Sequence, residues 1–200
     1  MITIKMPNPD KLFDGLDKRS LALVKVRAQN ALAAKAKTLA NRVTRERYTV
    51  KADALRNAMY VRKAVFSDPV ATLVVTGRRI PLSKFRILPA TPNPKSQRRR
   101  AGTKVQEVRS SPLTPKPGAF TARMASGHVG VFWRSKDKRM RKNAKRAALV
   151  EISGPDAPGM VNSKTVMARL RQLVHDESEV IYKRELAFEL SKATATVRIG

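Results

Sequence analysis

The chain contains no cysteine. Disulfides and thiolate metal sites are therefore excluded, and the composition suits a reducing cytosol. Aromatic residues make up only 5% of the 200 positions, so a core must rest mainly on Ala, Val and Leu. The two histidines, His128 and His175, stand far apart, and the 15 acidic residues are scattered. Neither a metal-ligand spacing nor a phosphate loop of the Walker or dinucleotide type can be assembled from them. A Ser/His/Asp triad drawn on paper from so many residues carries no weight. The chain is expected to be neither an enzyme nor a holder of metal or cofactor. Long apolar runs are absent too, which argues against a membrane span, and the opening MITIKMPNPD lacks the apolar centre of a secretory signal. No internal repeat is visible.

What the chain has is positive charge. Lys and Arg number 42, for a formal net charge of +27. Such a chain repels itself unless an anion neutralises it, and nucleic acid is the commonest such partner. An anionic membrane surface is the weaker alternative, since no strongly hydrophobic face accompanies the charge. The charge is also unevenly placed. From Glu151 to Gly200 seven basic residues meet seven acidic ones, so all of the excess lies in residues 1–150. The organisation expected is a basic α+β domain over 1–158 and a neutral C-terminal helical region over 159–200.

Met1 to Met6 alternates weakly and suggests a short strand. Leu21, Val24, Ala28, Leu32, Ala36, Leu39 and Val43 step by three or four, which predicts a long amphipathic helix over 20–47. Its other faces carry Lys25, Arg27, Lys35, Lys37, Arg42, Arg45 and Arg47, read as a solvated surface, with direct anion contact as the alternative. Tyr48 to Arg56 predicts a turn and a short helix capped by Thr49. The period then changes to two: Met59–Phe66 and Val70–Thr76 predict a β-hairpin turned at Ser67-Asp68-Pro69. Leu82 to Phe85 suggests a helical turn, and Lys104 to Arg109 a short strand. Pro89, Pro92 and Pro94 make a loop of the stretch up to Arg100, and Ser110 to Gly118 reads as a proline-rich turn.

The stretch Pro117–Arg134, PGAFTARMASGHVGVFWR, is expected to be the central hairpin of a sheet spanning about 59–152. Gly127 permits the turn, and Phe120, Val131 and Trp133 are read as core, with His128 a turn residue. Ser135 to Arg146 reads as a basic loop, and Ala147–Ile152 as a strand. Gly154-Pro-Asp-Ala-Pro-Gly is a break. Met160–Ala193 predicts a long C-terminal helix with Val166, Leu170, Leu173, Val174, Ile181 and Leu190 buried. The fold expected is α+β: long N-terminal and C-terminal helices packed on a mostly antiparallel sheet.

The candidate DNA-contacting residues are Arg98, Arg99, Arg100 and Lys104 in one basic segment. Arg134, Lys136, Lys138, Arg139, Arg141, Lys142, Lys145 and Arg146 form the other. No recognition helix marks base-specific readout, and no paired exposed aromatics mark a single-strand stacking platform, so backbone contact without sequence choice is expected. The bland alternative is that these segments only aid solubility.

An ordered set of parts resembles the minor tail protein Z family of tailed bacteriophages, the tail completion proteins of lambda-like phages. The parts are the Ala-rich helix, the short basic helix at Tyr48–Arg56, the hairpin, and the Arg98–Arg100 loop. After them come Pro117-Gly-Ala-Phe120 with Gly127-His128, Val131-Phe132-Trp133-Arg134, and Gly154-Pro-Asp-Ala-Pro158 before the last helix. The chain departs from the family's frequent Pro-Ile strand at Ala148-Leu-Val-Glu-Ile. The resemblance implies a structural virion protein of the tail or neck at the head–tail junction, assembled in the host cytoplasm. Its implied partners are the duplex DNA genome, the tail terminator and other tail proteins, head–tail connector proteins, and its own copies in a hexameric ring, with no membrane. It brings no catalytic motif. The alternative is a ribosomal-type or other non-sequence-specific nucleic-acid-binding protein.

Overall fold

The computed structural model describes residues 2–5, 18–77, 79–92, 102–141 and 143–197. They form a mixed α/β structure with small antiparallel sheets. The chain divides into two compact units. The first takes Met1–Val43, Arg56–Thr76 and Val161–Gly200; the second takes Thr44–Leu55 and Gly77–Met160. The division does not fall at residue 158. The C-terminal helix joins the N-terminal one in a single unit.

The first unit is built on α1 (Lys18–Arg47) as far as Val43 and on α4 (Lys164–Val197), with strands β1 (Ile2–Lys5), β2 (Met59–Arg62) and β3 (Thr72–Val75). The periodic stripe on α1 is buried as expected at Val24, Ala28, Leu32, Ala36 and Val43, and it widens to Ala33 and Ala40. Leu21 and Leu39 lie at its half-buried margin. Small alanines let neighbouring backbone approach this face closely. Arg45 and Arg47 in the last turn of α1 suit the negative end of the helix dipole. On α4, Val166, Leu170 and Ile181 are buried as expected, whereas Leu190 is exposed.

β3 lies between β1 and β2, and every one of its residues is buried. Met59 faces Val75 and Arg62 faces Thr72 across the expected hairpin. Two amides on α1 fix this hairpin to the helix. Asn30 donates to the carbonyl of Ala64 (3.2 Å) and accepts from its amide (2.8 Å), as a strand neighbour would. Gln29, fully buried, accepts from the Ala71 amide (3.3 Å) and donates to the hydroxyl of Tyr182 on α4 (2.8 Å).

The second unit holds α2 (Ala52–Asn57) and three small sheets. One contains β5 (Arg86–Leu88), β6 (Thr103–Gln106) and β7 (Thr114–Lys116). Another pairs β4 (Arg79–Pro81) with β11 (Ser153–Asp156). The third runs β8 (Phe120–Arg123), β9 (Val129–Met140), β10 (Asn143–Glu151). A 3-10 turn at Leu82–Lys84 sits where a helical turn was expected, and α3 (Ala157–Val161) follows β11. Strands thus replace two expected irregular segments: β7 in the proline-rich turn, and β11 at the Gly-Pro break.

The expected single sheet is therefore corrected to four small ones. The hairpin at 119–134 belongs to a different unit from the long helices. Thr49 does not cap α2. Its hydroxyl donates to the Gln106 carbonyl and accepts from the Arg86 amide (3.2 Å), tying the segment before α2 to β5 and β6. α2 is held instead by Asp53, whose carboxylate receives Lys84 at 2.7 Å. That hydrogen bond, with the nearby positive charge, holds the Asp53 carboxyl below its ordinary pKa.

Candidate nucleic-acid interface

The hairpin forms as the sequence suggested. Phe120 pairs with Phe132 and Arg123 with Val129. At the tip, Met124 donates to the His128 carbonyl (2.8 Å) and Gly127 to the Met124 carbonyl (2.9 Å). Gly127 has a φ of 82°, which suits glycine. His128 has a partner: its Nε2 lies 2.8 Å from Glu151 Oε1, and its ring stands edge-on to Phe132.

The expected basic loop is where sequence and structure part most. Ser135–Arg146 is not a loop. β9 continues through it to Met140, and β10 returns from Asn143, so the basic residues ride on a two-stranded ribbon. Leu149 faces Arg134, Ala147 faces Arg139, and Asn143 faces Met140. The register shifts between these pairs mark bulges. One bulge is held locally, because the Ser135 hydroxyl accepts from the amides of Asp137 (3.3 Å) and Lys138 (3.0 Å). The composition hid the ribbon, since Lys, Asp and Asn are poor strand formers. The ladder starts at the apolar Val129–Trp133 and Ala147–Val150 and extends the pairing outward.

Arg134, Lys136, Lys138, Arg139, Arg141, Lys145 and Arg146 are all exposed on this ribbon. Lys104 is exposed on β6 of the same unit. Arg98, Arg99, Arg100 and Lys142 lie outside the described residues. The Arg134 guanidinium sits 5.9 Å above the Phe120 ring, which holds its base in place and leaves the charge in water. Among the described residues, the side chains of Lys104, Lys136, Lys138, Arg139, Arg141 and Arg146 meet no carboxylate.

Other cations do have such partners. Arg27 pairs with Glu189 and Lys35 with Glu177, each at 2.7 Å. Two basic residues of α1 thus answer acids of α4, an outcome that neither a solvated surface nor an external anion describes. In the second unit Lys84 pairs with Asp53, and Lys116 reaches Glu107 at 3.6 Å. On the ribbon, by contrast, Lys136, Lys138, Arg139, Arg141 and Arg146 stand close in sequence without a carboxylate partner among the described residues.

The core assignment within the hairpin also needs correction. Val131 is fully buried, Phe120 is half-buried, and Trp133 is 51% exposed. Both faces of β9 are covered from Gly130 to Phe132, and cover stops there. Trp133 is the first residue beyond it. His175 is exposed on α4, as expected. Among the described residues no group of three or more His, Asp or Glu is placed to hold a metal ion, and no helix is long and apolar enough to cross a membrane. No family model, curated protein or solved structure matches the chain.

Proposed function

We propose that this chain is a structural virion protein of a tailed bacteriophage, a tail completion or neck protein that contacts duplex DNA through its phosphate backbone. The observation that carries the DNA contact is the β9–β10 ribbon, on which exposed Lys136, Lys138, Arg139, Arg141 and Arg146 have no carboxylate partners among the described residues. A two-stranded ribbon has the width to enter a groove or lie along the backbone. Its side chains are long aliphatic stems with charged ends, suited to phosphate and without the amide pairs that read bases. The resemblance to the tail completion family supplies the location. In that setting copies form a ring at the head–tail junction, with the ribbons directed at the end of the genome or the channel lumen. α4 offers exposed Val180 and Leu190 for neighbouring subunits or tail proteins.

The test is made on particles. Reversing Lys136, Lys138, Arg139 and Arg141 to glutamate should lower DNA retention and infectivity, with the protein still found at the neck. Imaging should place a closed ring of copies there. Unchanged retention and infectivity refute the DNA role. Co-purification with structured RNA, with no ring and no binding to tail tubes, refutes the neck assignment in favour of a ribosomal-type protein.

A further inference from the structure

Trp133 lies on the wall of a groove within the second unit, of about 440 Å³. The groove is lined by Arg79 of β4, Lys116 and Pro117 at the end of β7, Trp133 of β9, Val150 of β10 and Ser153 of β11, among others. Arg79 is exposed and Lys116 half-buried. Val150 is the cross-strand partner of Trp133, so the two form one apolar floor. The groove thus brings one exposed indole into the same lining as two cations from separate sheets. Its volume falls in the range of small-ligand sites. The next residue along β9 is Arg134, the first cation of the ribbon.

We infer that this groove takes one unpaired nucleotide of a nucleic-acid strand, its base stacked on Trp133 and its phosphate met by Arg79. The inference rests on the nucleic-acid reading of the ribbon and adds a second mode to it. The ribbon meets phosphates of any strand, whereas the groove requires a base that is free to leave its stack. Three observations favour a nucleotide over a protein side chain. The groove is lined by two cations, Arg79 and Lys116, as well as by a flat aromatic face. It is contiguous with a strand of unneutralised cations that would carry the rest of the same polymer. Its one lining acid, Glu151, is engaged with His128, and Arg79 meets no carboxylate among the described residues, so it is placed to face an anion. Base–aromatic stacking tolerates any base, in keeping with the lack of sequence readout elsewhere.

Trp133 is the chain's only tryptophan, so its fluorescence reports on this groove alone. The full chain is titrated with an oligothymidylate of about ten nucleotides, within the usual site sizes of single-strand binders. The comparison is a blunt duplex of the same length at the same salt. The single strand should quench the emission saturably, and the duplex should bind with little quenching. Anisotropy of labelled oligonucleotides then follows the variants. Trp133→Ala should weaken single-strand binding about tenfold, the effect of losing one stacked base, and duplex binding less than twofold. Trp133→Phe should restore most of the loss.

Arg79→Gln leaves the fluorophore and the hairpin intact, and should weaken single-strand binding with its quenching amplitude at saturation retained. This variant keeps the question answerable if Trp133→Ala does not fold. The inference is overturned by any of three results: no quenching by the single strand, equal quenching by the duplex, or single-strand affinity unchanged by both Trp133→Ala and Arg79→Gln. Quenching by an acidic peptide without quenching by oligothymidylate overturns it in favour of a protein contact. Duplex binding lost when the ribbon is altered, together with no quenching by the single strand, would leave the ribbon reading standing while the groove reading falls, so the two failures are distinguishable.

Discussion

Replacing Lys136, Lys138, Arg139 and Arg141 with glutamine removes four charges from the ribbon without placing any new one there. The side chains are exposed and meet no carboxylate among the described residues, so nothing internal is lost. Exposed substitutions of this kind change stability by about 0.5 kcal/mol or less each, and the loss of mutual repulsion acts in the stabilising direction. The binding effect is much larger. Each cation that neutralises a duplex phosphate contributes about −0.9 to the slope of log affinity against log salt, so four contacts account for roughly −3.6. Raising the salt from about 50 to 200 mM is a fourfold change, over which four contacts are worth about a hundredfold in affinity.

The variant's disadvantage against the unaltered chain should therefore be greatest at low salt and shrink about a hundredfold over that range. Titrating a labelled duplex of arbitrary sequence at several salt concentrations gives both slopes. Thermal unfolding of the same samples shows that the fold is intact. A variant slope equal to that of the unaltered chain would mean that these side chains touch no phosphates. The DNA role of the ribbon would then be wrong however weak the binding became.

Two predictions concern the framework. A methyl group at Gly130 would lie 2.7 Å from ring atoms of Phe132 and from Glu151 Oε1. The ring is buried and cannot move aside freely, so Gly130→Ala should destabilise the chain by about 1–3 kcal/mol in denaturant unfolding; a change within error would show that the sheet yields there. Tyr182→Phe removes the hydroxyl that accepts from buried Gln29 and should cost about 1–3 kcal/mol, whereas the exposed Tyr60→Phe should cost almost nothing. Equal effects from the two would refute the role given to that hydrogen bond.

The parts legible in the sequence were those whose pattern is local. The α1 stripe follows from residues three and four apart, and burial tracks it from Val24 to Val43. The Met59–Thr76 hairpin announced itself through β-branched residues around Ser-Asp-Pro, and the Gly127 turn through its glycine. What stayed hidden depends on partners remote in sequence. The ribbon strands are poor strand formers by composition and exist because an apolar ladder precedes them. Tyr182 gives no sign of being buried until Gln29, 153 positions away, is placed beside it. Thr49 has the right type and place for a cap, but Gln106 and Arg86 claim its hydroxyl. Trp133 was assigned to the core because aromatic residues usually go there, and only the extent of cover over β9 shows otherwise.

The way the two units divide the chain bears on how the protein is made. Nearly all of the second unit is one continuous stretch, Gly77–Met160, joined by the short piece Thr44–Leu55. During synthesis it is complete before α4 has been made. The first unit has no such option. α1 leaves the ribosome early, yet Glu177, Tyr182 and Glu189, its partners on α4, emerge only after the whole of the second unit. Until then the α1 side chains Arg27, Gln29 and Lys35 lack these partners, and the waiting time grows with everything inserted between. Emergence of α4 thus sets the moment at which the first unit can close, and a chain stalled inside α4 would carry a basic ribbon already made beside a first unit that is still incomplete.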